Sequence, residues 1–148
     1  MVGNLAPYSY FNVMAHNPPT VAIGCSTSRL RSHGKKDTLV NILETGQFVV
    51  NIMSEWFVEA ANHCCGNFDY GEDEMVLSGL TALPSVRPPR VKESAVQMEC
   101  ELRHTHEVKD AGGKVTCVVV IGEVVLMHVH DGLVVDIEKY RPISRLGG

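Results

Sequence analysis

The run "AVQMECELRHTHEV" at 95–108, the pair Gly112-Gly113, and the run "KVTCVVVIGEVVLMHVHDGLVV" at 114–135 decide the fold. The second run is rich in valine, neither run contains proline, and the glycine pair between them supplies a tight turn. They predict two long antiparallel strands joined at Gly112-Gly113. Strands this long need their edges closed or covered, so the expected architecture is mainly β: a β-barrel with a few short helices.

Working outward, "TVAIGCS" at 20–26 follows Pro18-Pro19 and reads as a buried strand, as does "QFVVNIM" at 47–53. Between them, "KDTLVNILETG" has a helical pattern. Leu39, Ile42 and Leu43 form an apolar stripe, Asp37 is placed to cap the N-terminus, and Gly46 suits the C-terminal stop. A second helix is expected from Ser54 with Phe57, Val58 and Ala61 on it. "LPSVRPPRV" carries too many prolines for a central strand and reads as an extended connector. At the N-terminus, "NLAPYSYFN" (4–12) reads as an edge strand that packs Tyr8, Tyr10 and Phe11 on the core.

The chain has 148 residues, the size of a single domain spanning 1–148. Its formal net charge of −4 argues against a nucleic-acid binder, and no apolar run is long enough for a membrane span. Five cysteines (Cys25, Cys64, Cys65, Cys100 and Cys117) make no CxxC pair, which fits a reducing, cytoplasmic setting.

Against this acidic background, positive charge gathers in "CSTSRLRSHGKKDTLVNI" at 25–42. Ser26, Thr27, Ser28 and Arg29 follow a strand, and Lys36 precedes a helix start at which Thr38 offers a hydroxyl. Helix N-termini carry free N–H groups and positive partial charge, so this is a candidate phosphate seat, although a solvated basic loop has the same composition. Asp37 suits an anion poorly and is better used as the cap. Three histidine clusters invite a metal reading: His63-Cys64-Cys65, whose adjacent cysteines diverge, and the pairs His104/His106 and His128/His130, each of which could place two imidazoles on one strand face, with Glu123 as a further ligand. No G-x-S-x-G elbow supports a serine hydrolase.

Taken in order, "NLAPYSYFN" (4–12), "KDTLVNI" (36–42), "FVVNI" (48–52), "DEM…SGLT" (73–81), "PPRVKES…ECEL" (88–102), "GEVV" (122–125) and "RPISRLGG" (141–148) resemble the flavin reductase-like family with the FMN-binding split-barrel fold. The resemblance implies FMN at a homodimer interface, with NADH or NADPH as co-substrate and hydride transfer from nicotinamide to flavin. It implies a phosphate loop of Ser26, Thr27, Ser28 and Arg29, with Lys36 and Thr38 as its helical half. Asn4, Ala6, Pro7 and Ser9 would line the isoalloxazine, and Asn51 and His128 are further candidates. Arg145 and Gly147 match a family signature with an interface or structural role. A flavin-using monooxygenase or another electron acceptor would be the partner. Alternatives are an FMN-binding electron carrier without turnover and a metal-dependent β-barrel enzyme using His128 and His130. Relatives carry a further strand before Asn4 and continue past Gly148, so two readings stand: a trimmed or misannotated chain, or a barrel lacking its first strand and closed in another way or by a partner subunit.

Overall fold

The long hairpin is the centre of the molecule. In the computed structural model, which describes residues 3–29, 31–66, 68–69, 71–85, 88–135 and 142–143, its strands run over Val96–Lys109 and Val115–Val129. The turn is built on Asp110: its Oδ1 accepts from the N–H groups of Gly112 and Lys114 at 2.9 and 3.0 Å, and Gly113 turns through φ 81°. That backbone angle favours glycine.

In chain order the strands are β1 (Phe11–His16), β2 (Pro19–Ser26), β3 (Gln47–Asn51), β4 (Met53–Ser54), β5 (Ala82–Leu83), β6 (Arg90–Val91), β7 (Val96–Lys109), β8 (Val115–Val129) and β9 (Pro142–Ile143). The helices are α1 (Asp37–Thr45), α2 (Val58–His63), α3 (Glu74–Ser78) and α4 (Asp131–Val135), with a 3-10 turn at Glu55–Phe57 leading into α2. The main sheet is antiparallel with the order β1-β2-β8-β7-β3; β4 pairs with β9 and β5 with β6. Alternate residues Val21, Ile23 and Cys25 of β2 point inward, and Phe48, Met98, Cys100, Val120 and Val124 meet them. Leu39 and Ile42 of α1 complete the core, each 2% exposed.

Three register shifts interrupt the hairpin, the one nearest the turn lying between Val108 and Lys109, where Thr116 is extra on β8. Glu99 pairs with Leu126 but Cys100 with Val124, leaving Val125 as an extra residue on β8. Leu102 pairs with Gly122 but His104 with Ile121, leaving Arg103 extra on β7. Gly122 is where the ring of Phe48 crosses the sheet.

The structure corrects several expectations. Residues 4–8 are not an edge strand: the chain is irregular there, bends at 9–10, and β1 starts only at Phe11. Tyr8 and Phe11 do pack on the core, but Tyr10 is 69% exposed. The strand expected at 20–26 is present as β2, and it forms a hairpin with β1 around Asn17-Pro18. The strand expected to run to residue 135 stops at Val129. The His130 N–H still bonds to Ala95 O, but its Nδ1 and its carbonyl accept from Gly132 and Leu133 and start α4. The β3 ladder likewise stops at Asn51, and Leu43 lies on the exposed flank of α1. The prolines of 83–91 separate the short strands β5 and β6, whose two residues each close a small ladder.

Asp37 does not cap α1. The N-cap is Lys36, without a side-chain cap bond, and Asp37 forms a forked pair with Arg31 (Nε to Oδ1, 2.9 Å). A charge-assisted, two-pronged contact outcompetes a local cap. Gly46 ends the helix as expected, in the left-handed conformation, with its N–H on Ile42 O at 2.8 Å.

Candidate functional site

Residues 3–8 form a strap between α1 and α3. Glu74, in the first turn of α3, holds it twice: Oε2 accepts from Asn4 Nδ2 at 2.6 Å and from the Leu5 N–H at 2.8 Å. The Glu74 N–H bonds to Gly3 O, and Asp73 accepts from the Gly3 N–H. On the other side, the Thr38 hydroxyl donates to Asn4 Oδ1 at 2.8 Å, tying the strap to the first turn of α1. Burial pushes the Glu74 carboxyl above its usual range, against the pull of the Leu5 and Asn4 donors.

Beneath the strap lies a cavity of about 390 Å³. Its floor is apolar, with Phe48, Val50, Ile52 and Phe57, and its polar groups are the amides of Asn4, Asn41, Gln47 and Asn51 together with Thr38, Thr45 and the carboxylate of Asp73. Gln47 Oε1 is buried without a hydrogen-bond partner among the described residues. Tyr8 closes the end nearest β2, where the Cys25 thiol donates to its Oη at 3.6 Å. Burial drives the Tyr8 phenol far above its ordinary value, reinforced by the Cys25 thiol beside it. Burial also raises Cys25, against the hydrogen bond to Tyr8.

The basic loop adjoins this cavity at Thr38. Ser28 N–H bonds to Gly34 O at 2.8 Å and Thr27 N–H to Thr116 O at 3.0 Å, which folds the loop back on itself. Within it the two arginines differ. Arg31 is engaged with Asp37 and Phe68 O, whereas Arg29 is exposed. Lys36 is exposed too, and neither Arg29 nor Lys36 makes an ion pair among the described residues. A side-chain-uncapped helix start with two uncommitted cations and the hydroxyls of Ser26, Thr27 and Ser28 suits an anion.

Of the residues singled out from sequence, Asn4, Ala6, Pro7, Thr38 and Asn51 line the cavity. Ser26, Thr27, Ser28, Arg29 and Lys36 form the neighbouring loop, and Ser9 is exposed at the bend. Asn51 has committed its Oδ1 to the Val91 N–H at 2.9 Å. His128 stands apart from the cavity, its Nε2 2.7 Å from Glu99 Oε1. His130 caps α4, so the two histidines serve different partners, and no cluster of three or more metal-ligating side chains occurs among the described residues. Arg145 and Gly147 lie outside the described residues. Sequence reasoning missed Arg31 and Glu74; the only signal for them was their position inside motifs read for other residues.

A family profile for the flavin reductase like domain matches residues 2–144. The chain belongs to the flavin reductase-like domain family. An uncharacterised protein of Aquifex aeolicus is 39% identical over 98% of this chain and 74% of its own length. Among solved structures, nitrilotriacetate monooxygenase component B from Bacillus cereus is 38% identical, with a TM-score of 0.82 over 97% of this chain and 72% of that one. A protein from Shewanella frigidimarina, assigned as a flavin reductase with a split barrel domain, matches at a TM-score of 0.78 and 27% identity, over 98% of this chain and 72% of that one. The fold is therefore the split barrel of flavin reductase-like proteins, and the protein is a flavin-related oxidoreductase by family.

Proposed function

We propose that the protein binds FMN and passes hydride equivalents from NADH or NADPH through it, as a homodimer in the cytoplasm. The observation that carries the reading is the side-chain-uncapped start of α1 beside uncommitted Arg29 and Lys36. Arg29 offers a forked contact to phosphate oxygens and Lys36 a point charge, while Ser26, Thr27 and Ser28 supply hydroxyls and Thr38, whose hydroxyl donates to Asn4, supplies its backbone N–H at the helix start. Asn4, Ala6 and Pro7 of the strap, with Ser9 at the bend beyond it, orient the ring and exclude water from one side of it; Asn51 serves its edge within the cavity, and His128, outside the cavity, a ligand group that projects beyond it. Bound FMN supplies the hydride chemistry, and the protein supplies binding and orientation. Four of the five cysteines are at least partly buried and all are free, which agrees with a reducing compartment. No helix among the described residues is long and apolar enough to cross a membrane.

The homodimer is supported by a contrast between two strand edges. The β2 ladder on β8 ends at Glu123, and beyond it Val125, Leu126, Met127 and Val129 are 44–53% exposed. The outer stretch of β7 instead carries Arg103, His104, His106, Glu107 and Lys109, the charged kind of edge that resists pairing. An apolar edge beside a protected one marks a surface meant to be covered. Since one solved relative is a monooxygenase component B, a flavin-using monooxygenase is the expected consumer of the reduced flavin.

The deciding experiment is a visible spectrum before and after adding FMN and desalting, followed by anaerobic mixing with NADH and with NADPH. Retained flavin that bleaches with either nicotinamide supports the reading. Retained flavin that bleaches with neither would make the protein a flavin carrier without turnover, and no flavin binding would overturn it.

A further inference from the structure

Residues from three separated motifs, Arg90 of "PPRV", Glu99 of "ECEL" and His128, meet on the face of β7 that alternates away from Met98 and Cys100. The polarity of the group is set from the backbone outward. Gln97 is 6% exposed, and its Nε2 donates to Ser94 O at 2.6 Å and Val91 O at 3.1 Å, which leaves its Oε1 to accept from Arg90 at 2.7 Å. Arg90 also donates from Nε to Pro84 O, and the same Nε lies 3.7 Å from Glu99 Oε1. The Glu99 side chain is 7% exposed, a position in which a carboxylate needs a compensating cation, and Arg90 provides it.

His128 Nε2 approaches the same Glu99 oxygen at 2.7 Å. An ionised carboxylate only accepts, so Nε2 must carry the proton. Arg90 lies beside the same carboxylate, and whenever the ring is neutral the proton on Nε2 leaves a bare lone pair on Nδ1. The His128 side chain is 30% exposed, and Nδ1 has no hydrogen-bond partner among the described residues.

We infer that Glu99 is a positioning residue that holds His128 in the Nε2–H form, so that Nδ1 presents an acceptor to the N–H edge of a ligand. The ligand chemistry is an N–H donor, which excludes an anion or a bare carbonyl edge. The proposed reaction offers two such donors, the imide of the flavin pyrimidine ring and the carboxamide of the nicotinamide. The inference rests on the flavin reading only for the identity of that ligand.

Nitrogen NMR of histidine-labelled protein tests it without any variant. The free protein is expected to show His128 protonated at Nε2 and bare at Nδ1; a predominant Nδ1–H form overturns the inference. Saturation with FMN is then compared with saturation with NADH, binding being followed independently by absorbance. A shift of Nδ1 with FMN assigns the imide, and a shift with NADH alone assigns the carboxamide. A still Nδ1 while both are bound overturns the acceptor role. If neither ligand binds, the flavin reading fails, and the tautomer still judges the Glu99–His128 pair. His128→Phe should weaken the assigned ligand roughly 5- to 10-fold, the loss of one hydrogen bond, and should also lower the melting temperature, because buried Glu99 loses its 2.7 Å donor.

Discussion

Gly122 of β8 lies directly under the ring of Phe48 of β3: a Cβ at Gly122 would stand 2.6 Å from Phe48 Cε1 and closer still to Cζ. Phe48 is 7% exposed and belongs to the core, so its ring cannot retreat to solvent. Gly122→Ala should therefore destabilise the fold by about 1–3 kcal/mol through overpacking. Urea unfolding checks this, and adding Phe48→Leu should recover part of the loss. Strictly additive effects would show that the two residues do not share the space.

Arg29 and Arg31 look interchangeable in sequence and should behave oppositely. Arg29→Ala with Lys36→Ala is expected to leave the melting temperature unchanged and to weaken FMN binding by about 2–4 kcal/mol, the scale of two charge-assisted contacts. Arg31→Ala releases Asp37 and Phe68 O and should lower thermal stability first. Fluorescence titration with FMN alongside thermal melts separates the two. Wild-type affinity in the folded double variant would remove the phosphate from this loop.

Glu74 gives a pH dependence of definite sign. Its carboxyl is raised in the folded state by burial, so the native protein holds that proton more tightly than the unfolded chain does. The resulting stabilisation is complete below the ordinary carboxylate range and is lost as pH rises through the raised folded value. Glu74→Gln keeps an oxygen for the Leu5 and Asn4 donors but does not ionise. The unfolding free energy of wild type minus that of Glu74→Gln should accordingly fall between acid and neutral pH. A difference that rises would mean the strap stabilises the ionised carboxylate after all.

The apolar edge of β8 should control assembly. Leu126→Glu with Met127→Lys places charge where Val125 to Val129 are half exposed, and is expected to shift a dimer to monomer in sedimentation equilibrium. A wild-type protein that is monomeric at all concentrations would refute the dimer, and a dimer untouched by the substitutions would place its interface elsewhere.

How much was legible in advance varies with how local the cause is. The 110–114 turn is fixed by its own residues, Asp110 and Gly113, and the alternation of Val21, Ile23 and Cys25 announces a half-buried strand. Where two local signals compete, sequence reading chose wrongly: the valines after His130 suggested strand where the His130 ring begins a helix. Asp37 fits every local rule for a cap, yet its partner is Arg31. The basic loop was readable because its cations are neighbours in the chain. Arg90, Glu99 and His128 were not readable as a unit, because their meeting depends on strand register.

That register also has a genetic consequence. Val125 on β8, Arg103 on β7 and Thr116 on β8 each stand outside the pairing, so the ladder is offset over 100–102 against 122–124 and again at Lys109 against Val115. A bulged residue lengthens one strand locally and leaves the pairs on either side of it on their present faces. Deleting Val125 or Arg103 alone should therefore keep Met98 opposite Met127, Cys100 opposite Val124 and Leu102 opposite Gly122, while straightening the hairpin at that point. Each extra residue is then a heritable unit of its own: a lineage can lose or gain it singly, and what changes is the bend of the hairpin and not which residues face the core.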